Sequence, residues 1–182
     1  MGFSLTRSLP NLISLARLVL VPAIISMISA QRWKEASVVF VVAGVSDALD
    51  GWIARSFNLR SELGAYLDPL ADKALIVSIY VTLAIVGVLP ATIAIIVVAR
   101  DAMIVGAFMI SWFLDKPVEV RPLLISKLNT LVQLTCAALV LGAKAFDVAT
   151  GAWLGPLIYL VAALSLASLG AYFNGWIRHM SV

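Results

Sequence analysis

Charge is scarce in this chain, and so are the side chains that most often carry catalysis. Lysine and arginine total 13 and aspartate and glutamate 10 among 182 residues, so 13% of the chain is charged. An ordinary soluble domain carries about twice that share. A water-facing surface of usual composition is therefore excluded, and the 62% of hydrophobic residues points to lipid as the solvent. The one histidine, His179, stands at the extreme C-terminus and reads as a solvated tail residue. No Ser/His or Cys/His nucleophile can be assembled from it. The one cysteine, Cys136, lies in an apolar run, which rules out a disulfide framework and suits a small core hydrophobe. The net charge of +3 is modest. It matters through where the positive residues fall at a membrane, and no nucleic-acid partner is expected.

What the chain does have is long apolar runs. Cut at polar or Pro/Gly punctuation, they give six spans at roughly 11–30, 35–56, 64–86, 90–114, 122–143 and 151–177. These runs are too long for the alternating strands of a membrane barrel. The expected fold is all-α, an integral membrane bundle of six transmembrane helices. It forms one domain over 1–182, with no internal repeat or linker. The opening "MGFSLTRSLPNLISLARLVL" sets Arg7 ahead of an apolar run, as a signal peptide does, but offers no convincing small-residue cleavage site. It reads as a short interfacial segment followed by the first span. With a cytoplasmic N-terminus, one face collects Arg7, Arg55, Arg60, Lys116, Arg121 and Arg178, and the other keeps Arg32, Lys34 and Lys144. The bias sets the second-to-third turn on the cytoplasmic or matrix side.

That turn is where the acids gather. "SDALDGWIARSFNLRSELGAYLDPLADK" (46–73) holds four aspartates and a glutamate. Four carboxylates deep in a bilayer would cost roughly 10–14 kcal/mol on insertion scales, so something must offset them. Asp47, Asp50, Gly51 and Ala54 stand at i, i+3, i+4 and i+7, and Gly64, Asp68 and Asp72 follow at i, i+4 and i+8. Each set shares one helical face. Pro69 fits best in a first helical turn, which leaves the local geometry at Asp68 open. Hard oxygen ligands at this density suit Mg²⁺, Mn²⁺ or Ca²⁺ rather than zinc. Two other readings compete: interhelical ion pairs with Arg55, Lys73 or Arg100, and the acidic cation site of a transporter.

Read in full, Asp47 to Asp72 is D-x2-D-G-x2-A-R-x8-G-x3-D-x3-D, eight specified residues over 26 positions. This resembles the signature of the CDP-alcohol phosphotransferase family, with no departure. The resemblance implies a six-helix membrane enzyme that moves a substituted phosphoryl group from a CDP-alcohol to a second alcohol and releases CMP. It further implies two Mg²⁺ or Mn²⁺ ions, one held by Asp47, Asp50 and Asp68, the other held or faced by Asp47, Asp68 and Asp72. Gly51, Ala54, Arg55, Ser61 and Gly64 would line the CDP-lipid site, and Asp72 would be the general base. A homodimer in a bacterial or mitochondrial-type inner membrane is implied as well.

The signature is silent on the acceptor. "PNLISLARLVLVP" (10–22) fits the branches that make phosphatidylglycerophosphate or cardiolipin. "RDAMIVGAF" (100–108), "VRPLLISKLNTLVQLTCAALVL" (120–141) and "ALSLASLGAY" (163–172) look closer to the cardiolipin-forming branch. Asp101 and "SKLNT" stand where the branch using glycerol 3-phosphate more often has Glu and a Gly-Lys-x-Lys-Thr run. The expected substrates are CDP-diacylglycerol and phosphatidylglycerol, with glycerol 3-phosphate the alternative acceptor. Arg17, Arg100 and Lys127 are candidate ligands of the acceptor phosphate. The competing reading makes Arg100 and Asp101 a structural pair and Lys127 a lysine reaching outward. A lipid acceptor also implies a groove near spans four and five that opens toward the bilayer.

Overall fold

The structure is a computed structural model that describes residues 3–56, 62–113 and 124–180. Side chains are described at 16–47, 49, 71, 73–106, 109 and 124–177. Among these residues the chain forms six helices and no strand: α1 Phe3–Ser29, α2 Trp33–Ser56, α3 Glu62–Ile85, α4 Ala91–Phe113, α5 Leu124–Ala145 and α6 Gly151–Met180. The apolar runs thus become helices with ends within a few residues of those expected. Two details differ. The N-terminal segment is continuous with α1, which runs through Pro10 and Pro22 for 27 residues. Pro69 lies inside α3 rather than in its first turn.

Helical spacing decides which faces close. Arg17, Val21, Ile24 and Ile28 bury one stripe of α1, and Ala36, Phe40 and Ala43 one stripe of α2. α3 buries a wider face, Leu75, Ile76, Ile79, Tyr80, Thr82 and Leu83, because it packs on α1, α4 and α5. α2 packs on α1 and α5, and α6 on α4 and α5. The helices therefore form a ring in the order α1, α2, α5, α6, α4, α3, with α3 and α5 touching across it. Among the described residues α2 and α3 reach one another only through α1 and α5. The two acid-bearing helices are flanked by α1, a neighbour the sequence did not suggest.

Among the described residues two helices, Leu124–Ala145 and Gly151–Ile177, are long and apolar enough to cross a membrane. α5 buries Asn129 and Gln133 beside Cys136, Val140 and Leu141, and it exposes Leu124, Leu128, Leu131 and Leu139.

Three short turns close α1 to α2, α3 to α4 and α5 to α6 in one way. Gln31, Gly87 and Asp147 have φ of 56°, 73° and 54°. The next amide in each case donates back five residues: Arg32 to the Met27 carbonyl (2.8 Å), Val88 to Leu83 (2.9 Å) and Val148 to Ala143 (2.8 Å). This is the left-handed helix cap that glycine fits best. A non-glycine residue there costs about 1–2 kcal/mol, of which glycine's greater unfolded-state freedom takes back part. Gln31→Gly is expected to raise Tm by roughly 2–4 °C, read by thermal unfolding in detergent. An unchanged or lower Tm would show that the Gln31 side chain contributes more than its backbone loses.

Candidate functional site

α2 carries Asp47, Asp50, Gly51, Ala54 and Arg55 near its C-terminal end, and α3 carries Gly64, Asp68 and Asp72 in its first half. Both runs are helical, so the i, i+3 and i, i+4 spacings expected of the acids hold in the backbone. The side chains of Asp50, Gly51, Ala54, Arg55, Gly64, Asp68 and Asp72 lie outside the described residues, as does Ser61 altogether.

Asp47 is described. Its carboxylate lies 2.6 Å from Nη2 of Arg17, which reaches it from α1. Arg17 is 2% exposed whereas Asp47 is 45% exposed, so the guanidinium is sunk in the bundle and the carboxylate stays open on one side. Within the apolar core a buried guanidinium requires an anion, and Asp47 supplies it. Asp47 thereby gains a fixed orientation while remaining reachable. Among the described residues no three Asp, Glu, His or Cys side chains gather as a metal site.

A second polar group lies deeper. Asp101 on α4 is buried, and its Oδ1 accepts hydrogen bonds from Arg100 Nη1 and from Lys73 Nζ of α3. Arg100 Nη2 donates to Ser126 Oγ of α5 and, at 2.8 Å, to Ser168 Oγ of α6. One charged cluster thus pins four helices together, and Lys73 follows Asp72 directly in the chain. Removing one member of a buried pair typically costs about 3–5 kcal/mol, because the remaining charges stay behind unmatched. Asp101→Ala is accordingly expected to lower Tm by more than roughly 6 °C. A shift below 2 °C would show that the cluster is solvated in the membrane-bound protein.

Arg17, Arg100 and Lys127, expected together at an acceptor phosphate, do not share a partner among the described residues. Arg17 meets Asp47, Arg100 meets Asp101 and two serines, and Lys127 is exposed on α5. The pairing of Arg100 with Asp101 matches the structural reading of that dipeptide. Sequence reasoning missed Ser126, Ser168 and the link from Lys73 to Asp101. Serines within apolar runs were the available signal.

Most side chains at the end of α4 and the connection to α5, where the lateral groove near spans four and five is expected, lie outside the described residues. A cleft of about 570 Å³ opens between α4 and α6, lined by Met103, Ile104, Leu169, Gly170, Phe173 and Trp176 among others. Among the described residues α4 packs on α3 and α6.

Residues 7–168 match the family pattern described as CDP-alcohol phosphatidyltransferase. The chain belongs to the CDP-alcohol phosphatidyltransferase family. Among its relatives, the human CMP-forming cardiolipin synthase is 34% identical over 183 residues, covering 92% of this chain and 61% of that protein. A fission yeast protein named as a CMP-forming cardiolipin synthase and mitochondrial hydrolase fusion is 32% identical over 91% of this chain and 30% of its own length. The rice chloroplastic CDP-diacylglycerol–glycerol-3-phosphate 3-phosphatidyltransferase 1 is 34% identical over 91% of this chain and 56% of its own. The chain spans about three fifths of the human relative's length.

Proposed function

We propose that this chain transfers the phosphatidyl group of CDP-diacylglycerol to a hydroxyl of phosphatidylglycerol, yielding cardiolipin and CMP. The observation that carries the reading is the uninterrupted signature from Asp47 to Asp72, borne on two helices, with its first carboxylate oriented by a buried arginine. The cardiolipin synthases among its relatives support the choice of acceptor. The rice relative supports glycerol 3-phosphate as the second reading.

The chain's own groups divide the work. Arg55 grips the diphosphate, while Gly51, Ala54 and Gly64 allow the nucleotide close to the backbone. Asp72 takes the proton from the acceptor hydroxyl as its oxygen attacks the lipid-side phosphorus in line. The new P–O bond forms as the P–O bond to CMP breaks, without a covalent enzyme intermediate. The donor set of Asp47, Asp50, Asp68 and Asp72, all hard carboxylate oxygen, suits two Mg²⁺ or Mn²⁺ ions. Such ions, when bound, neutralise diphosphate charge and ease departure of CMP. The open side of Asp47 is consistent with that fit.

All six helices cross the membrane in this reading. It draws support from the exposed Val38, Val41, Val42, Val45 and Leu49 of α2 and the exposed Leu124, Leu128, Leu131 and Leu139 of α5. The acids then face the cytoplasm or matrix, and a homodimer is the expected state. The deciding experiment offers purified protein CDP-diacylglycerol with phosphatidylglycerol or glycerol 3-phosphate separately and identifies the lipid product by mass. Cardiolipin from the first mixture supports the proposal. Phosphatidylglycerophosphate from the second, with phosphatidylglycerol ignored, replaces it with the second reading. Cation movement across sealed vesicles without consumption of CDP-lipid would instead favour a transporter.

A further inference from the structure

We propose that Asn129 and Gln133 form a binding site for a single neutral hydroxyl inside the seam between α5 and α6, apart from the aspartate-bearing ends of α2 and α3. The two amides stand at i, i+4 on α5 and are 0% and 1% exposed. Both meet the same side chain of α6. Gln133 Nε2 donates to Ser165 Oγ at 3.2 Å, and Ser165 Oγ donates to Asn129 Oδ1 at 2.9 Å. Each amide therefore uses one end only. Asn129 Nδ2 and Gln133 Oε1 are buried with no hydrogen-bond partner.

Reassigning amide nitrogen and oxygen does not remove the deficit. With Asn129 turned over, two donors crowd Ser165 and two carbonyl oxygens stay unmet. With Gln133 turned over, Ser165 can donate to only one of two oxygens and both amino groups stay unmet. Turning both merely exchanges which residue lacks a donor and which an acceptor. Every arrangement leaves at least two buried polar ends, and those that use Ser165 in full leave one donor and one acceptor. In an apolar interior such ends are costly. A hydroxyl accepts from the one and donates to the other. An ion is disfavoured: none of the hydrogen bonds made by the side chains of Asn129, Gln133 and Ser165 involves a charged group, and Arg100 and Asp101 are engaged with Lys73, Ser126 and Ser168.

The hydroxyl has two sources, water or the alcohol of an acceptor. The second source rests on the transferase reading. Both acceptors considered above carry glycerol hydroxyls, so it does not depend on which is used. The seam leads that way, since Ser126, Asn129 and Gln133 lie at i, i+3 and i+7 on α5 and Ser126 touches Arg100.

The test uses the whole protein and two measurements. In a high-resolution structure from lipidic mesophase, a peak within hydrogen-bond reach of both Asn129 Nδ2 and Gln133 Oε1 is expected. An isolated peak with and without added acceptor identifies water. Density continuous with added glycerol 3-phosphate or phosphatidylglycerol identifies the alcohol, and Gln133→Met should then raise that acceptor's KM about tenfold while the CDP-diacylglycerol KM holds. Independently, Asn129→Leu, Gln133→Met and their double variant are compared by Tm in a Ser165→Ala background, where the shared serine no longer couples them. A bridging hydroxyl makes the double variant lose less than the sum of the singles, by on the order of 2–4 °C. Additive losses, or amides paired directly to each other or to helix carbonyls, would overturn the site. If the protein transfers no phosphatidyl group, the transferase reading falls while the peak and the Tm cycle still decide this one.

Discussion

Protein stripped with excess chelator is expected to release no CMP from CDP-diacylglycerol, and added Mg²⁺ or Mn²⁺ to restore release. Four aspartates fall within 26 residues of an otherwise apolar chain. In the proposed two-ion site their mutual repulsion would be neutralised by cations. Arg17 neutralises part of the charge at Asp47, and divalent ions bound through hard carboxylate oxygens would neutralise the remainder. The measurement is CMP release by chromatography across a metal titration. Full turnover in excess chelator would show that basic side chains alone neutralise the acids, and the two-ion reading would be abandoned.

Asp72→Asn is the second large effect expected. Loss of a general base typically costs about 10²–10⁴ in rate, and a carboxylate that also faces a metal ion adds to that. The variant should lose kcat while still binding CDP-diacylglycerol. Asp47→Asn and Asp68→Asn should lose metal and nucleotide binding together. In the Asp47 variant buried Arg17 also loses its 2.6 Å ion pair with Asp47, so Tm should fall alongside activity. Turnover of Asp72→Asn at the wild-type rate would assign the base elsewhere.

The helices and the signature were legible because both are local. A run of some twenty apolar residues sets a helix length, and i, i+4 spacing of carboxylates is visible without knowing what lies opposite. The start of the first helix was less legible: a separate interfacial segment was expected, yet α1 begins at Phe3 and runs through Pro10. What joins the helices was not legible. Nothing near Lys73 points to Asp101, 28 residues on, and nothing near Asn129 points to Ser165. A serine in an apolar run can turn to its own helix carbonyl, as Thr130 does to Ser126 at 3.1 Å, or to a neighbouring helix. Only the ring order decides between these. Because α1 packs on both α2 and α3, Arg17 can hold Asp47, whereas the sequence offered Arg17 only as a candidate ligand of substrate.

The three matching caps at Gln31, Gly87 and Asp147 bear on how the chain assembles. Each ties two consecutive helices back to back through a short turn, so the polypeptide leaves the ribosome as three helical hairpins in succession. Asp101 meets Lys73 and Arg100 as soon as the second hairpin is complete. Arg100 must wait for the third, which brings Ser126 and Ser168. Arrival of α6 is then the event that completes the cluster, since until the third hairpin docks Arg100 Nη2 lacks both serine acceptors.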